Sequence, residues 1–211
     1  MTPSSTTAKG PRQTRAARRE ETRIALLNAT IQSLITHGYA ATTTRGVAEI
    51  AGVSQGAQQH HYPTKGELVK AATIHLAEVF VDALRAAPPA ADTERERAAL
   101  LVDVLWMAAN QPLTAALMEF VAAARTDPEI ADAVVDLIEQ IDTLAFSIVT
   151  EIAPTLAATT GSRDWLRITV SSMCGAVAVT ALPGGAAFAP AWPNLRDNIL
   201  AGLDRLATAD R

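Results

Sequence analysis

Gln55, Gln59 and His60 fall within the stretch 54–61, beside Ser54 and His61. Each carries groups that donate and accept hydrogen bonds. Side chains of this kind pair with base edges in a DNA major groove, and hydroxyls and imidazoles also reach phosphates. Upstream, Thr43-Thr44-Arg45 supplies two hydroxyls and a guanidinium, the group that best grips a guanine edge or a phosphate. Lys65 follows His61 at i+4. The charge around these residues agrees with a polyanionic partner. Residues 1–65 hold eight basic and three acidic side chains (+5), which leaves −9 for the rest of a chain whose net charge is −4. A basic end on an acidic body is expected where one end meets nucleic acid and the other stays off it. Adjacent His60 and His61 do not form a metal site, because helix neighbours diverge and no Cys or acid stands three or four residues away. No metal or cofactor is expected, and no clustered acid, base or nucleophile suggests an enzyme.

The elements that must position these residues are all helical. Residues 1–14, rich in Ser, Thr, Pro and basic residues, read as a disordered basic arm. From Arg15 an amphipathic helix carries Ile24, Leu27, Ile31, Leu34 and Ile35, and Gly38 reads as its left-handed stop. Thr43 caps a short helix over 43–51, Gly52-Val53 makes a tight turn, and Ser54 caps a second short helix to about His61. After Pro63-Thr64 a long helix opens at Lys65 or Gly66, with Leu68, Ala72, His75, Leu76, Val79, Phe80 and Ala83 on its buried stripe. His75 is expected as a hydrogen-bonded core residue rather than a ligand contact. Ala86–Ala91, with two prolines, is a linker. Helices follow over 92–110 and 112–126, then a long one opened by Asp127-Pro128-Glu129, then two at about 163–182 and 194–208. No run alternates with period two long enough to make a strand.

The pattern Gly38-Tyr39-Ala40-Ala41-Thr42-Thr43-Thr44-Arg45-Gly46-Val47-Ala48-Glu49-Ile50-Ala51-Gly52-Val53-Ser54-Gln55-Gly56-Ala57, followed by His61-Tyr62-Pro63-Thr64-Lys65-Gly66-Glu67-Leu68, resembles the TetR family of one-component transcriptional regulators. The resemblance is close over 15–70. It implies a helix-turn-helix DNA-binding domain over 15–65 and a ligand-binding and dimerisation bundle over 66–211. It also implies roles for individual residues. Thr44 and Arg45 would hold the backbone, with Thr43 as the cap. Gln55, Gln59 and His60 would enter the major groove, and His61 and Lys65 would bind phosphates. Arg12, Arg15, Arg18 and Arg19 would follow the backbone or a minor groove. The family usually has an apolar residue and then tyrosine where this chain has Gln58 and Gln59. Gln59 can still bond a phosphate or an adenine, and Gln58 either caps a neighbouring backbone group or tilts its helix. At Gly46 the family's acid, which would complete a capping box with Thr43, is missing.

In the bundle, Trp106, Met107, Asn110, Phe120, Phe146 and Met173 are the bulky or amidic residues expected to supply effector contacts. Cys174 is expected as a small buried residue. Residues 168–182 are apolar nearly all round, with Gly175 and Ala176 permitting close approach, and the last two long helices are expected to form a homodimer. The N-terminus has no apolar stretch of a secretory signal, and the 15-residue run 168–182 is too short to span a bilayer, so a cytoplasmic protein without a membrane anchor is expected. The expected function is repression at a pseudo-palindromic double-stranded operator, relieved by a small apolar or amphipathic effector. The rivals are an activator of the same fold and an architectural DNA-binding protein without a ligand.

Overall fold

The computed structural model describes residues 14–209, so the expected arm lies outside it except for Thr14, whose hydroxyl accepts from Ala17 N and starts the first helix. Ten α-helices follow: α1 Arg15–Ala41, α2 Thr44–Ala51, α3 Gln55–His61, α4 Lys65–Ala86, α5 Glu94–Ala109, α6 Pro112–Ala124, α7 Pro128–Ile152, α8 Pro154–Ala158, α9 Ser162–Thr180 and α10 Trp192–Ala209. A single 3-10 turn covers Gly185–Ala187. The fold is all-α, as expected. Helix α8 and the 3-10 turn were not anticipated, because pieces this short carry no periodic pattern to detect.

Three apolar clusters stack along the molecule. The first, Leu26, Ala29, Val47 and Leu68 with Val53 and Tyr62 at its edge, joins α1, α2 and the first turn of α4. The middle cluster is a joint. Leu34, Tyr39 and Val69 from α1 and α4 pack on Leu113, Ala116 and Phe120 of α6 and on Ile130, Val134 and Leu137 of α7. The third fills the far end, where Leu84, Val102, Val149, Leu166, Met173 and Leu203 bring α4, α5, α7, α9 and α10 together. Helix α4 contributes to all three, so it runs the length of the molecule.

Gly38 does not adopt the left-handed stop. Its φ of 74° and ψ of 176° lie in an extended region that only glycine enters readily, and α1 resumes beyond it for one turn to Ala41. Among the described residues no single helix is long and apolar enough to cross a membrane, and the most apolar neighbours, α5 and α6, meet at 75°.

Candidate nucleic-acid interface and effector cavity

The starts of α2, α3 and α4 are set by hydroxyl caps. Thr43 Oγ1 accepts from Gly46 N at 3.0 Å, and Ser54 Oγ accepts from Ala57 N at 3.2 Å. Between them Gly52 sits at φ 67° and ψ 28°, the left-handed geometry that lets α2 stop and α3 leave at a steep angle. At the start of α4, Thr64 and Glu67 form a reciprocal capping box. Each cap satisfies backbone N–H groups that a helix start leaves open.

This frame leaves Gln55, Gln59 and His60 exposed on α3. Gly56 lies between them, with open space where a Cβ would stand, so a duplex can approach the α3 backbone there. Arg45 is exposed on α2, with its guanidinium paired to Glu49 at 3.1 Å. Thr44 is half-buried, and the hydroxyls of Thr43 and Ser54 are engaged as caps. Gln58 is completely buried, and its Nε2 donates to Tyr62 O at 2.7 Å. Of the two expectations for this residue, the backbone cap is therefore the one observed. Its Oε1 has no hydrogen-bond partner, a cost the usual apolar residue would avoid.

His61 is half-buried against the start of α1. Burial, with Arg19, His60 and Arg23 nearby, pushes its pKa below the ordinary histidine value. Arg23 also bonds Glu20 at 2.7 Å and the Tyr62 hydroxyl. Lys65 does not occupy the position expected of a phosphate ligand. Its Nζ donates to the carbonyls of Tyr39 and Ala40 and lies 3.9 Å above the Tyr39 ring, and burial lowers its pKa. The reason is tertiary: the kink at Gly38 turns those carbonyls toward α4, where the lysine meets them.

Behind the head lies a cavity of about 350 Å³. Thr73, Phe80 and Leu84 of α4, Leu101 and Leu105 of α5, Leu113, Thr114 and Leu117 of α6, Ile141 and Ile148 of α7, and Val170, Met173 and Cys174 of α9 wall it. No charged side chain is among the described residues that line it. Of the six expected effector contacts, only Met173 borders this space. Phe120 is fully buried in the joint, its ring 4.9 Å from that of Tyr39. Trp106 stacks flat on Trp192 at 4.6 Å, Met107 is 66% exposed, Asn110 terminates α5, and Phe146 lies beneath the Arg163 guanidinium. The aliphatic residues that do line the cavity have the same composition as any core, so no sequence signal separates them. His75 is half-buried and outside the cavity.

A capped helix-turn-helix presenting amides and an imidazole is carried on an apolar helical bundle, and several proteins named as transcriptional regulators resemble this chain. Residues 26–72 match the family of bacterial regulatory proteins, tetR family. The regulator CymR of Pseudomonas putida is 43% identical over 75 residues, 36% of this chain and 37% of that protein. An uncharacterised HTH-type transcriptional regulator of Mycobacterium tuberculosis is 33% identical over 140 residues, 61% of this chain and 66% of the relative's length, just under two thirds. Among solved structures, a TetR transcription regulator of Haloarcula marismortui shares the fold at TM-score 0.60 and 21% identity, covering 90% of this chain and 98% of that one. The regulator FadR of Bacillus subtilis, solved with stearoyl-CoA, aligns at TM-score 0.60 and 14% identity over 85% of this chain and 96% of that one. Residues 26–72 thus match the tetR-family model, the fold of the chain is shared with solved TetR-family structures, and the names of its relatives are those of regulators rather than enzymes.

Proposed function

We propose that the protein is a homodimeric repressor whose α3 reads a pseudo-palindromic operator, and that a small uncharged apolar molecule entering the cavity releases it. The observation that carries this reading is the span of α4: Gly66, Leu68 and Val69 are buried near the head, and Thr73 to Leu84 wall the cavity. A charged effector would lose its hydration in this cavity without gaining a counter-ion, which costs several kcal/mol. Thr73, Gln111, Thr114 and Cys174 are the polar groups that could orient a neutral occupant. The occupant shifts the head only by its difference in affinity between two arrangements of α4.

Pairing of two chains is supported by the unpartnered side of α9 and its following loop. Ile168 is 66% exposed, Leu182 62% and Phe188 85%, and open space faces Gly175 where a Cβ would stand. A two-fold pair would place two α3 helices on half-sites about 34 Å, or a multiple, apart. The test is selection of random duplexes by the purified protein, followed by anisotropy titration of the winner at several salt concentrations with and without neutral apolar compounds. A palindromic consensus, released by such a compound, is the expected result. Binding that is salt-dependent but indifferent to sequence would sink the reading.

A further inference from the structure

The turn that joins α1 to α2 is held from two sides by opposite charges. At Gly38 the hydrogen-bond ladder of α1 breaks, and the amides of Tyr39 and Ala40 no longer meet carbonyls four residues back. Both donate instead to Glu119 Oε2 on α6, at 2.8 and 3.4 Å. A Cβ on residue 38 would stand 3.0 Å from that oxygen and 3.2 Å from Oε1. Glycine is therefore required here by the backbone angle, and its missing side chain also leaves room for the carboxylate to reach the turn closely. The carbonyls of Tyr39 and Ala40 are held by Lys65 of α4, whose ammonium also covers the Tyr39 ring. Phe120, next to Glu119, packs on that ring. The clamped turn leads through Thr42 into Thr43, the cap of α2.

The helix that bears Glu119 also walls the cavity through Leu113, Thr114 and Leu117. It is 13 residues long, and a helix of that length moves as one body. We propose that Glu119 is the positioning residue through which occupation of the cavity reaches the reading head. An occupant that displaces α6 draws the carboxylate away from Tyr39 and Ala40 and frees the turn that sets α2 and α3. The proposal rests on the effector reading of the cavity.

Cys174 is the chain's single cysteine and a wall residue, so N-phenylmaleimide attached to it serves as the occupant. Burial raises the thiol's pKa, and labelling is run at alkaline pH and checked by mass. Amide-resolved hydrogen exchange on the full chain then reads Tyr39 and Ala40 directly. The adduct should speed exchange of both amides at least about tenfold in the wild type. In Glu119→Ala both amides should already exchange fast, with less than about a twofold further effect of the adduct. Glu119→Gln keeps an acceptor oxygen but not the charge, folds with the same shape, and should fall between the two. Cys174→Ala treated with the reagent should keep wild-type rates. Unchanged protection in the labelled wild type, or an adduct response in Glu119→Ala as large as the wild type's, overturns the proposal. Operator affinity measured on the same proteins separates the two readings. An exchange response without loss of affinity supports the clamp and counts against release by effector.

Discussion

In the reading head, α2, α3 and α4 each begin on a hydroxyl that closes a backbone amide: Thr43, Ser54 and Thr64. In the bundle α5 begins on such a cap, Thr93 with Glu96, whereas α6, α8 and α9 begin without any side-chain cap, α6 and α8 on a proline, and apolar packing holds them in place. The difference is one of range. A cap acts within three residues and fixes where a helix starts, whatever surrounds it. Packing around a cavity fixes position only collectively, and it leaves helices able to shift against one another when the cavity fills.

Phe120→Ala should have the largest effect. The ring is fully buried between the two regions, and its loss should cost about 3–5 kcal/mol in urea unfolding. If head and bundle differ as described, the single transition should also split in two, the head melting apart from the bundle. One unchanged transition would mean that α4 alone couples them.

Substitutions at the exposed residues proposed to meet DNA come next. Gln55→Ala should lose about 1–3 kcal/mol on the selected duplex and little on others, whereas Arg45→Ala should weaken all duplexes alike and reduce the salt slope by about one. Equal loss on every sequence for Gln55→Ala would mean that α3 presents a different face. A third, smaller pair contrasts the two kinds of cohesion. Ser54→Ala should destabilise the protein by about 1 kcal/mol through its lost cap. Ala109→Leu, which adds methylenes to the cavity wall, should stabilise it by roughly 0.5–2 kcal/mol. Destabilisation by Ala109→Leu would show that the cavity has no slack.

The smallest effect is one of pH. The folded-state pKa of His61 is depressed, so the stability this residue contributes is present above the ordinary histidine value and is lost as pH falls through the lower folded one. A phosphate beside the ring would favour the protonated form, and duplex affinity should rise over the same window as the pH falls. His61→Gln should flatten both dependences, measured by thermal melts and anisotropy. A melt profile unchanged by His61→Gln would place the acid sensitivity elsewhere.

The head was the more legible half. Thr43, Gly52 and Ser54 announce their helix boundaries because cap and left-handed glycine are decided by neighbours in the chain. The outward side of α3 followed from those boundaries and the helical period. Lys65 was misread because its partner carbonyls become available only after α1 kinks, and Glu119 passed unnoticed because the amides it holds lie 80 residues away in sequence. In the bundle the long helices were visible, but of the bulky residues singled out for an effector only Met173 reaches the cavity, the others stacking, capping, filling the joint or standing exposed.

Nine of the ten helices among the described residues, the helix-turn-helix with its polar outward face, and the separation of a basic end from an acidic body could be read from the chain alone. These depend on periodicity, caps and charge, which act over a few residues or add without regard to arrangement. The tertiary structure decided which cation turns inward, which acid clamps the turn, and where the apolar helices leave room. Those outcomes depend on the mutual placement of groups far apart along the chain, and a void surrounded by leucines has the same composition as a filled core.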